Sequence, residues 1–203
     1  MVSFGAIILA AGLSRRMGAR NKLLLPINGK PMIRYVVETY LAVVDAQVYV
    51  VTGFEADKIE AVLAGLPIRF VHNADYEAGQ PFSVRAGLLA APDAQNFLIG
   101  LGDQPHLTAG DLRTLITAHM AADIQKISIP YNGSTRGNPI IVPAALCTQL
   151  LADQANPGCG KFTRASPELV QHVPVTQPGF FNDIDTPAAF ADFEQMGSQR
   201  SMT

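Results

Sequence analysis

Four short apolar runs alternate with segments of helical periodicity in the first half of the chain. This order is typical of α/β proteins, because each strand–helix–strand unit lays the next strand parallel to the last. The sequence therefore predicts a doubly wound and mostly parallel sheet, which binds its ligand at the carboxyl ends of the strands. The predicted strands cover residues 4–10, 47–52, 68–72 and 97–101, and the predicted helices cover residues 31–44, 55–64, 83–91 and 108–119.

The second half of the chain is less regular and richer in turn-forming residues. No internal repeat, low-complexity block or linker separates it from the first half. The sequence therefore predicts one domain over residues 1–197, followed by a frayed polar tail at 198–203. The predicted strands of this half cover residues 126–130, 138–142, 169–175 and 180–185, and its predicted helices cover residues 144–152, a short segment around Phe162, and residues 187–196.

The composition excludes several classes of protein. The 203 residues are 48% hydrophobic and 16% charged, which is typical of a folded chain. The net charge of −2 offers no basic surface to nucleic acid. No apolar run approaches the ~18 residues of a membrane span, and the start of the chain lacks the charged segment of a signal peptide. We therefore expect a cytoplasmic protein without a nucleic-acid or membrane partner.

A loop with positive charge follows the first predicted strand. The strand ends in small residues, which let backbone N–H groups approach a ligand closely. A hydroxyl, two guanidinium groups and an ammonium group follow, and such groups bind phosphate. The pattern matches neither a P-loop nor a dinucleotide-binding fingerprint, and we interpret it as a triphosphate cradle rather than a structural turn. Its candidate binding residues are Leu9, Ala10, Ala11, Gly12, Ser14, Arg15, Arg16 and Lys22.

Three aspartates are candidate metal ligands. Asp103 follows the fourth predicted strand, at the mouth of the sheet, where a carboxylate can hold Mg²⁺ against phosphate oxygens. Asp183 and Asp185 stand at positions i and i+2 of a predicted strand and are therefore expected to point the same way. The structural alternatives are a turn at Asp103 and capping of the last helix by Asp185 or Thr186.

The loop after the third predicted strand, residues 73–83, is a candidate site for the base and the ribose. Asn73, Gly79 and Ser83 offer hydrogen-bonding groups and a flexible backbone at the same edge of the sheet. The alternative is a polar surface loop in which Ser83 caps the next helix.

The irregular second half contains two further basic candidates. Arg136 and Lys161 stand in glycine-containing loops and are candidates to bind a phosphate of an acceptor. We interpret Cys159 as a small loop residue, because no histidine stands near it in the sequence. The histidines form no metal-binding spacing and are interpreted as structural or solvated.

The stretch from Leu9 to Gly18, together with Lys22, resembles the signature of the nucleotidyltransferase superfamily that includes the molybdenum-cofactor transferases. The resemblance covers nearly the whole chain and continues, in family order, through residues 73–83, 102–105, 136–139 and 183–187. Its Leu-Ala-Ala-Gly opening is similar to that of the molybdenum cofactor cytidylyltransferases, whereas the guanylyltransferase relatives typically carry Leu-Ala-Gly-Gly.

This resemblance implies a Rossmann-like core of the nucleotide-diphospho-sugar transferase type and a Mg²⁺-dependent reaction. The phosphate of molybdopterin would attack the α-phosphorus of CTP and expel pyrophosphate, with Arg16, Lys22 and Asp103 as catalytic residues. Asp103 and either Asp183 or Asp185 would hold the metal. The resemblance further implies nucleotide contacts in the N-terminal half at Asn73, Gly79, Ser83 and Gly102, and acceptor contacts, mostly in the C-terminal half, at Gln104, Pro105, Arg136, Asn138, Gly158 and Lys161.

The implied chemistry agrees with the residue types present. A phosphate monoester has its second pKa near ~6, so it is already anionic at neutral pH and needs no general base. The barrier is the repulsion between this anion and the triphosphate, which Mg²⁺, Arg16, Lys22 and backbone N–H groups would reduce. The alternatives are a guanylyltransferase on the same cofactor, a sugar-phosphate nucleotidyltransferase, and a non-catalytic cofactor-binding chaperone. A target molybdoenzyme or its insertion chaperone is left open as a protein partner.

Overall fold

The computed structural model describes residues 2–18, 20–92, 94–153 and 157–200. An eight-stranded mixed sheet forms the centre, and helices cover both of its faces. The strands are β1 (Phe4–Ala10), β2 (Pro26–Ile27), β3 (Lys30–Pro31), β4 (Val48–Thr52), β5 (Ile68–His72), β6 (Asn96–Leu101), β7 (Ile127–Asn132), β8 (Thr135–Arg136), β9 (Ile140–Pro143) and β10 (Val170–Pro174). The helices are α1 (Met32–Leu41), α2 (Ala56–Leu63), α3 (Gln80–Ala90), α4 (Ala109–Ala121), α5 (Cys147–Leu151), α6 (Cys159–Ala165) and α7 (Pro187–Arg200).

The strand order of the sheet is β10-β7-β9-β6-β1-β4-β5, with β8 paired to β7. β1 lies between β4 and β6 and is parallel to both, and β5 continues the parallel set beyond β4. β9 is antiparallel to β6 and to β7. The predicted mostly parallel, doubly wound sheet is therefore confirmed, and the carboxyl ends of β1, β4, β5 and β6 lie at one edge.

Burial along β1 explains why helices lie on both faces of the sheet. All seven residues of the strand are buried. Ala6 and Ile8 pack into a core with residues of α1, α2 and α4, whereas Ile7 and Leu9 pack into a second core with residues of α3. Because successive side chains of a strand point to opposite faces, a continuous apolar run requires a cover on each side. Among the described residues, no helix is long and apolar enough to span a membrane.

The structure contradicts the predicted strand over residues 180–185. A 3₁₀ turn covers Pro178–Phe180, and the following residues carry no strand. The backbone hydrogen bonds of this segment go to loops: Asn138 N donates to Phe180 O at 2.8 Å, and Ile184 N donates to Asp103 O at 2.9 Å. These loop bonds anchor the segment beside the end of β6, so no neighbouring strand is needed to satisfy its backbone.

Several other element boundaries differ from the prediction. α1 ends at Leu41, and α3 begins at Gln80, so that Ser83 lies inside α3 and does not cap it. The hairpin of β2 and β3 was not predicted; strands of two residues leave little periodicity to detect. α7 runs to Arg200, so the first part of the predicted frayed tail is helical, and residues 201–203 lie outside the described residues.

Candidate functional site

A cavity of about 460 Å³ opens at the carboxyl edge of the sheet, between the loop after β1, the start of α3 and the loop before α7. It collects side chains from distant parts of the chain. Most of the residues predicted to bind nucleotide or metal line it, namely Leu9, Ala11, Gly12, Ser14, Arg15, Arg16, Lys22, Gly79, Ser83, Asp103, Asp183 and Asp185.

The loop after β1 is held by hydrogen bonds within itself. Ser14 has a left-handed backbone conformation (φ 51°), and its hydroxyl accepts a hydrogen bond from Lys22 N at 3.2 Å. Asn21 is buried, and its Oδ1 accepts from Leu23 N at 3.1 Å and from the Ser14 hydroxyl at 3.4 Å. These bonds fix the backbone on both sides of Lys22, so Ser14 organises the loop from which the lysine side chain extends.

Lys22 forms ion pairs with two of the aspartates that line the cavity. Its ammonium group donates to Asp185 Oδ1 at 2.6 Å and also to Asp103. Arg16 Nη2 lies 2.5 Å from the other carboxylate oxygen of Asp185. Burial alone would lower the pKa of Lys22, but the two carboxylates outweigh it and hold that pKa above its usual value. Lys22 is therefore positively charged at neutral pH.

The three predicted metal ligands lie together. Asp103, Asp183 and Asp185 each offer a carboxylate oxygen, and these oxygens lie within 4.8 Å of one another. Oδ1 of Asp103 is buried and has no hydrogen-bond partner among the described residues. A hard divalent cation is a suitable partner for such oxygens, and an orphaned buried oxygen is costly without one.

The two aspartates near α7 have different electrostatic surroundings. Burial, together with the hydrogen-bonded carboxyl of Asp185, raises the pKa of Asp183 above its usual range. Burial also acts to raise the pKa of Asp185, but the ammonium group of Lys22 reverses this effect and lowers it. The predicted alternative of helix capping is resolved in favour of Thr186, whose hydroxyl accepts a hydrogen bond from Ala189 N at 3.2 Å.

The predicted base-site residues lie on one wall of the cavity, with one exception. Ser83 and Gly79 line it, whereas Asn73 is buried behind them. Nδ2 of Asn73 donates to the Ser83 hydroxyl at 3.0 Å, and its Oδ1 accepts from Asp75 N at 3.0 Å. Asn73 therefore positions Ser83 rather than lining the cavity.

A second cavity of about 300 Å³ adjoins the first, and Leu9, Gln80 and Leu101 line both. It extends toward the second half of the chain and lies between β9, α3 and α6. Four of the residues that the sequence suggested for an acceptor line it, namely Arg136, Asn138, Gly158 and Lys161.

Two other predicted acceptor residues do not reach either cavity. Gln104 and Pro105 are buried, and Gln104 Nε2 donates to Phe180 O at 3.4 Å. The structure therefore gives these two residues a packing role beside the 178–180 turn and does not support direct contact with an acceptor. They do not reach the cavities because the chain turns toward the interior of the protein directly after Asp103.

Two predicted nucleotide-binding residues, Ala10 and Gly102, do not line either cavity. Ala10 is buried at the end of β1, and Gly102 N donates to Leu9 O at 3.0 Å. A Cβ at Gly102 would lie 2.7 Å from Cδ1 of Ile33 and 3.1 Å from Leu9 O. A glycine at position 102 therefore allows this close approach without displacing Ile33 or Leu9, and Asp103 follows directly beside the loop after β1.

Sequence reasoning missed three contributors. Asn21 holds the Lys22 loop, Tyr76 lines the first cavity, and Arg164 lines the second. An asparagine directly before a lysine and two leucines is a recognisable capping signal. Tyr76 and Arg164 carry no comparable local signal, because only tertiary packing brings them to the cavities.

One family model matches most of the chain. The family described as "MobA-like NTP transferase domain" matches residues 6–173. The nicotine blue oxidoreductase of Paenarthrobacter nicotinovorans is 29% identical over 185 residues, which cover 89% of this chain and 91% of that protein. The bifunctional protein GlmU of Xanthomonas campestris pv. campestris is 34% identical over 151 residues, or 72% of this chain. The match spans only 33% of the length of that GlmU.

Solved structures share the fold over nearly the whole chain. A nucleotidyl transferase from Methanothermobacter superposes with a TM-score of 0.81 at 26% identity, covering 98% of this chain and 99% of the other. Rv0371c from Mycobacterium tuberculosis, in complex with manganese, gives 0.75 at 21% identity, covering 96% and 99%. A molybdopterin-guanine dinucleotide biosynthesis protein A from Archaeoglobus fulgidus gives 0.70 at 18% identity, covering 96% and 99%. With the matched family extending over most of the chain and the fold shared end to end, this protein belongs to the MobA-like NTP transferase domain family, a family of nucleotidyltransferases.

Proposed function

We propose that this protein is a Mg²⁺-dependent cytidylyltransferase that moves the cytidylyl group of CTP to the phosphate of molybdopterin and releases pyrophosphate. The observation that carries the proposal is the meeting, in one cavity, of a basic loop with three carboxylates. A site that only bound a nucleotide would need the basic loop alone. Carboxylates beside it favour a metal-assisted transfer of phosphorus.

The carboxylate site fits a divalent cation. Asp103, Asp183 and Asp185 would hold it, and the orphaned Oδ1 of Asp103 supports a ligand at this position. When bound, Mg²⁺ supplies positive charge to the phosphate oxygens at the transferring phosphorus. The manganese complex of the Mycobacterium tuberculosis relative supports a divalent metal in this fold.

The basic residues would bind the triphosphate. Lys22 and Arg16 line the cavity, together with Gly12 and Ser14 of the loop after β1. These groups would neutralise the triphosphate and hold its α-phosphorus in line with the incoming phosphate. The incoming phosphate is already anionic, so the residues around it need only bind and orient it.

The two adjoining cavities suggest how the substrates would be arranged. The first would receive CTP, with Ala11 and Ser83 near the base, and the second would receive the molybdopterin. The methyl group of Ala11 narrows the site in a way that is compatible with a pyrimidine. In this arrangement one domain over residues 1–197 binds the nucleotide mainly with its N-terminal half and the acceptor mainly with its C-terminal half.

A panel of nucleotides tests the proposal. The purified protein is incubated with Mg²⁺, molybdopterin and each of CTP, GTP, UTP and ATP, and pyrophosphate release is measured. We expect release with CTP and at least about tenfold less with the others, the discrimination that one or two base contacts supply. Turnover with GTP alone would instead identify a guanylyltransferase. Turnover only with sugar phosphates as acceptors would identify a sugar-phosphate enzyme, and tight binding without turnover would indicate a cofactor chaperone.

A second candidate function comes from one comparison. The similarity to nicotine blue oxidoreductase extends over 89% of this chain, so an oxidoreductase activity on nicotine blue is a second candidate. It is tested by following the absorbance of nicotine blue with the protein and reduced nicotinamide. The carboxylate cluster favours nucleotidyl transfer, and we expect no dye reduction above the rate without protein.

A further inference from the structure

The second cavity has an apolar wall and a cationic rim. Leu9, Val84 and Ile140 contribute to the apolar wall, which the sheet and α3 provide. The rim carries the side chains of Arg136, Lys161 and Arg164, and no carboxylate is among the described residues that line this cavity. The first cavity, by contrast, is lined by three aspartates and a glutamate. The first cavity thus combines acidic with basic side chains, whereas the charged side chains that line the second are all basic.

Hydrogen bonds fix the position of the Arg136 side chain, which lines the second cavity. Its Nη1 donates to the Thr163 hydroxyl at 2.8 Å, and that hydroxyl donates to Cys159 O at 2.7 Å. The guanidinium of Arg136 is thus tied to α6 by neutral partners. Burial and then the nearby charge of Arg164 lower the pKa of Arg136, which indicates that the two guanidinium groups repel each other.

The charge of these two arginines is not compensated locally. In the parts of the chain that the structure describes, neither Arg136 nor Arg164 forms an ion pair with a carboxylate. Lys161 differs, because its ammonium group lies 2.6 Å from Asp153. Two neighbouring arginines without an acidic partner, one of them half-buried, favour an anion that can accept hydrogen bonds from both.

Such an anion would be distinct from the group that reacts. Arg136 and Arg164 line only the second cavity, whereas Lys22 and the three carboxylates line only the first. A group held by the two arginines would therefore lie in the second cavity, which adjoins the first at Leu9, Gln80 and Leu101. The proposed function makes the second cavity the acceptor site, and the following inference rests on it. We infer that the acceptor is a ring compound with a second anionic group. Arg136 and Arg164 bind this second group while the first anionic group, the phosphate, reacts.

The inference makes Arg164 a specificity-determining residue. It is exposed on α6, so its replacement by glutamine should leave folding unchanged. Lys126 stands before β7, at the opposite edge of the sheet, and Lys126→Gln is the matched control for the loss of one positive charge.

A pair of fluorescent probes tests this inference without nucleotide and without turnover. Pterin-6-carboxylate and pterin share one ring system and differ in the carboxylate, and the binding of each is titrated by fluorescence. We expect the unaltered protein and Lys126→Gln to bind the carboxylate probe at least about tenfold more tightly, as charged hydrogen bonds imply. Arg164→Gln should lose most of this preference and keep its thermal midpoint.

Equal binding of the two probes by the unaltered protein would overturn the inference, and so would an undiminished preference in Arg164→Gln. Failure to bind either probe would also overturn it. Because the titration contains no CTP, a different nucleotide specificity would refute the proposed cytidylyl transfer and leave this result standing.

Discussion

The ammonium group of Lys22 lies 2.6 Å from Oδ1 of Asp185, although 162 residues separate the two along the chain. The same ammonium group bonds to Asp103 at the end of β6. One side chain therefore joins the loop after β1 to two of the three candidate metal ligands. Lys22 and a metal ion would therefore interact with the same carboxylate groups.

Replacement of Lys22 by methionine tests this sharing. Without the ammonium group, the net charge of the site around the three carboxylates is more negative. We therefore expect Mn²⁺ to bind several-fold more tightly in the absence of nucleotide. Turnover should fall by about 10²–10³, because a charge that stabilises the triphosphate is lost. Metal binding is measured by calorimetry and turnover by pyrophosphate release.

The matched control is Lys30→Met, because the ammonium group of Lys30 lies 2.5 Å from Glu38, outside the carboxylate cluster. It should leave metal binding unchanged. Weaker binding of Mn²⁺ by Lys22→Met than by Lys30→Met would show that the lysine does not compete for the aspartates.

A buried hydroxyl offers a test of stability. The Oη of Tyr40 is buried and has no partner among the described residues. An unsatisfied buried polar group costs about 1–3 kcal/mol, so Tyr40→Phe should raise the free energy of unfolding by about 1 kcal/mol. Urea unfolding measures the change. The control Tyr35→Phe, on the same helix but partly exposed, should stay within about 0.5 kcal/mol, and a loss of stability in Tyr40→Phe would reveal a partner for the hydroxyl.

The same tyrosine explains the glycine at position 100 in β6. A Cβ at Gly100 would lie 1.8 Å from Oη of Tyr40. Gly100→Ala should therefore destabilise the protein by about 1–3 kcal/mol or more through overpacking. The double variant with Tyr40→Phe should recover only part of the loss, because Cζ still lies 2.7 Å away. Gly110→Ala in the helix α4 is the control, because a Cβ there would meet only Thr108 Oγ1, at an ordinary contact distance of 3.5 Å, and it should be neutral or slightly stabilising.

The buried His119 should make the free energy of unfolding depend on pH. Its ring is fully buried, Nδ1 lies 2.8 Å from the Ser128 hydroxyl, and burial lowers the pKa below the model-peptide value of 6.5. Below pH 6.5 the unfolded chain binds a proton at this histidine that the folded protein does not. The contribution of His119 to the free energy of unfolding is therefore complete above pH 6.5. It is lost as the pH falls from 6.5 through the lowered pKa of the folded state, by at most about 1.4 kcal/mol per pH unit.

The measurement compares urea unfolding at pH 7.5 and pH 5.0. The loss of stability between these values should be smaller in His119→Gln than in the unaltered protein, whatever the variant does to stability at pH 7.5. His172→Gln controls for the loss of an exposed imidazole. An equal loss in His119→Gln and the unaltered protein would contradict the account.

The strand–helix alternation was sufficient to predict the parallel part of the sheet and the edge that carries the site. The reason is that buried parallel strands such as β1 and β4 are continuous apolar runs, which are easily recognised. The residues of the loop after β1 and the three aspartates were identified from the sequence because their residue types are chemically distinctive. Their meeting in one cavity depends on the topology, which the sequence predicted correctly.

The segment before α7 could not be predicted in the same way. Phe180, Phe181 and Ile184 favour a strand, but Phe180 O and Ile184 N bond to the loops at Asn138 and Asp103. These contacts are tertiary and leave no periodic pattern. Asp183 and Asp185 reach the cluster for this reason, not because they alternate along a strand. Gln104 was misplaced likewise, since the inward turn after Asp103 is not visible in the residue types.

The most direct test of the central claim follows the α-phosphorus of CTP. The protein is supplied with Mg²⁺, molybdopterin and CTP labelled at that position, and the label and pyrophosphate are measured together. We expect one pyrophosphate for each labelled phosphorus that reaches the acceptor, and a rate at least about 10²-fold lower in Asp103→Asn, which keeps the shape of the residue but loses its charge. Label that stays in free nucleotide, or transfer that is unchanged in Asp103→Asn, would contradict nucleotidyl transfer at the carboxylate site.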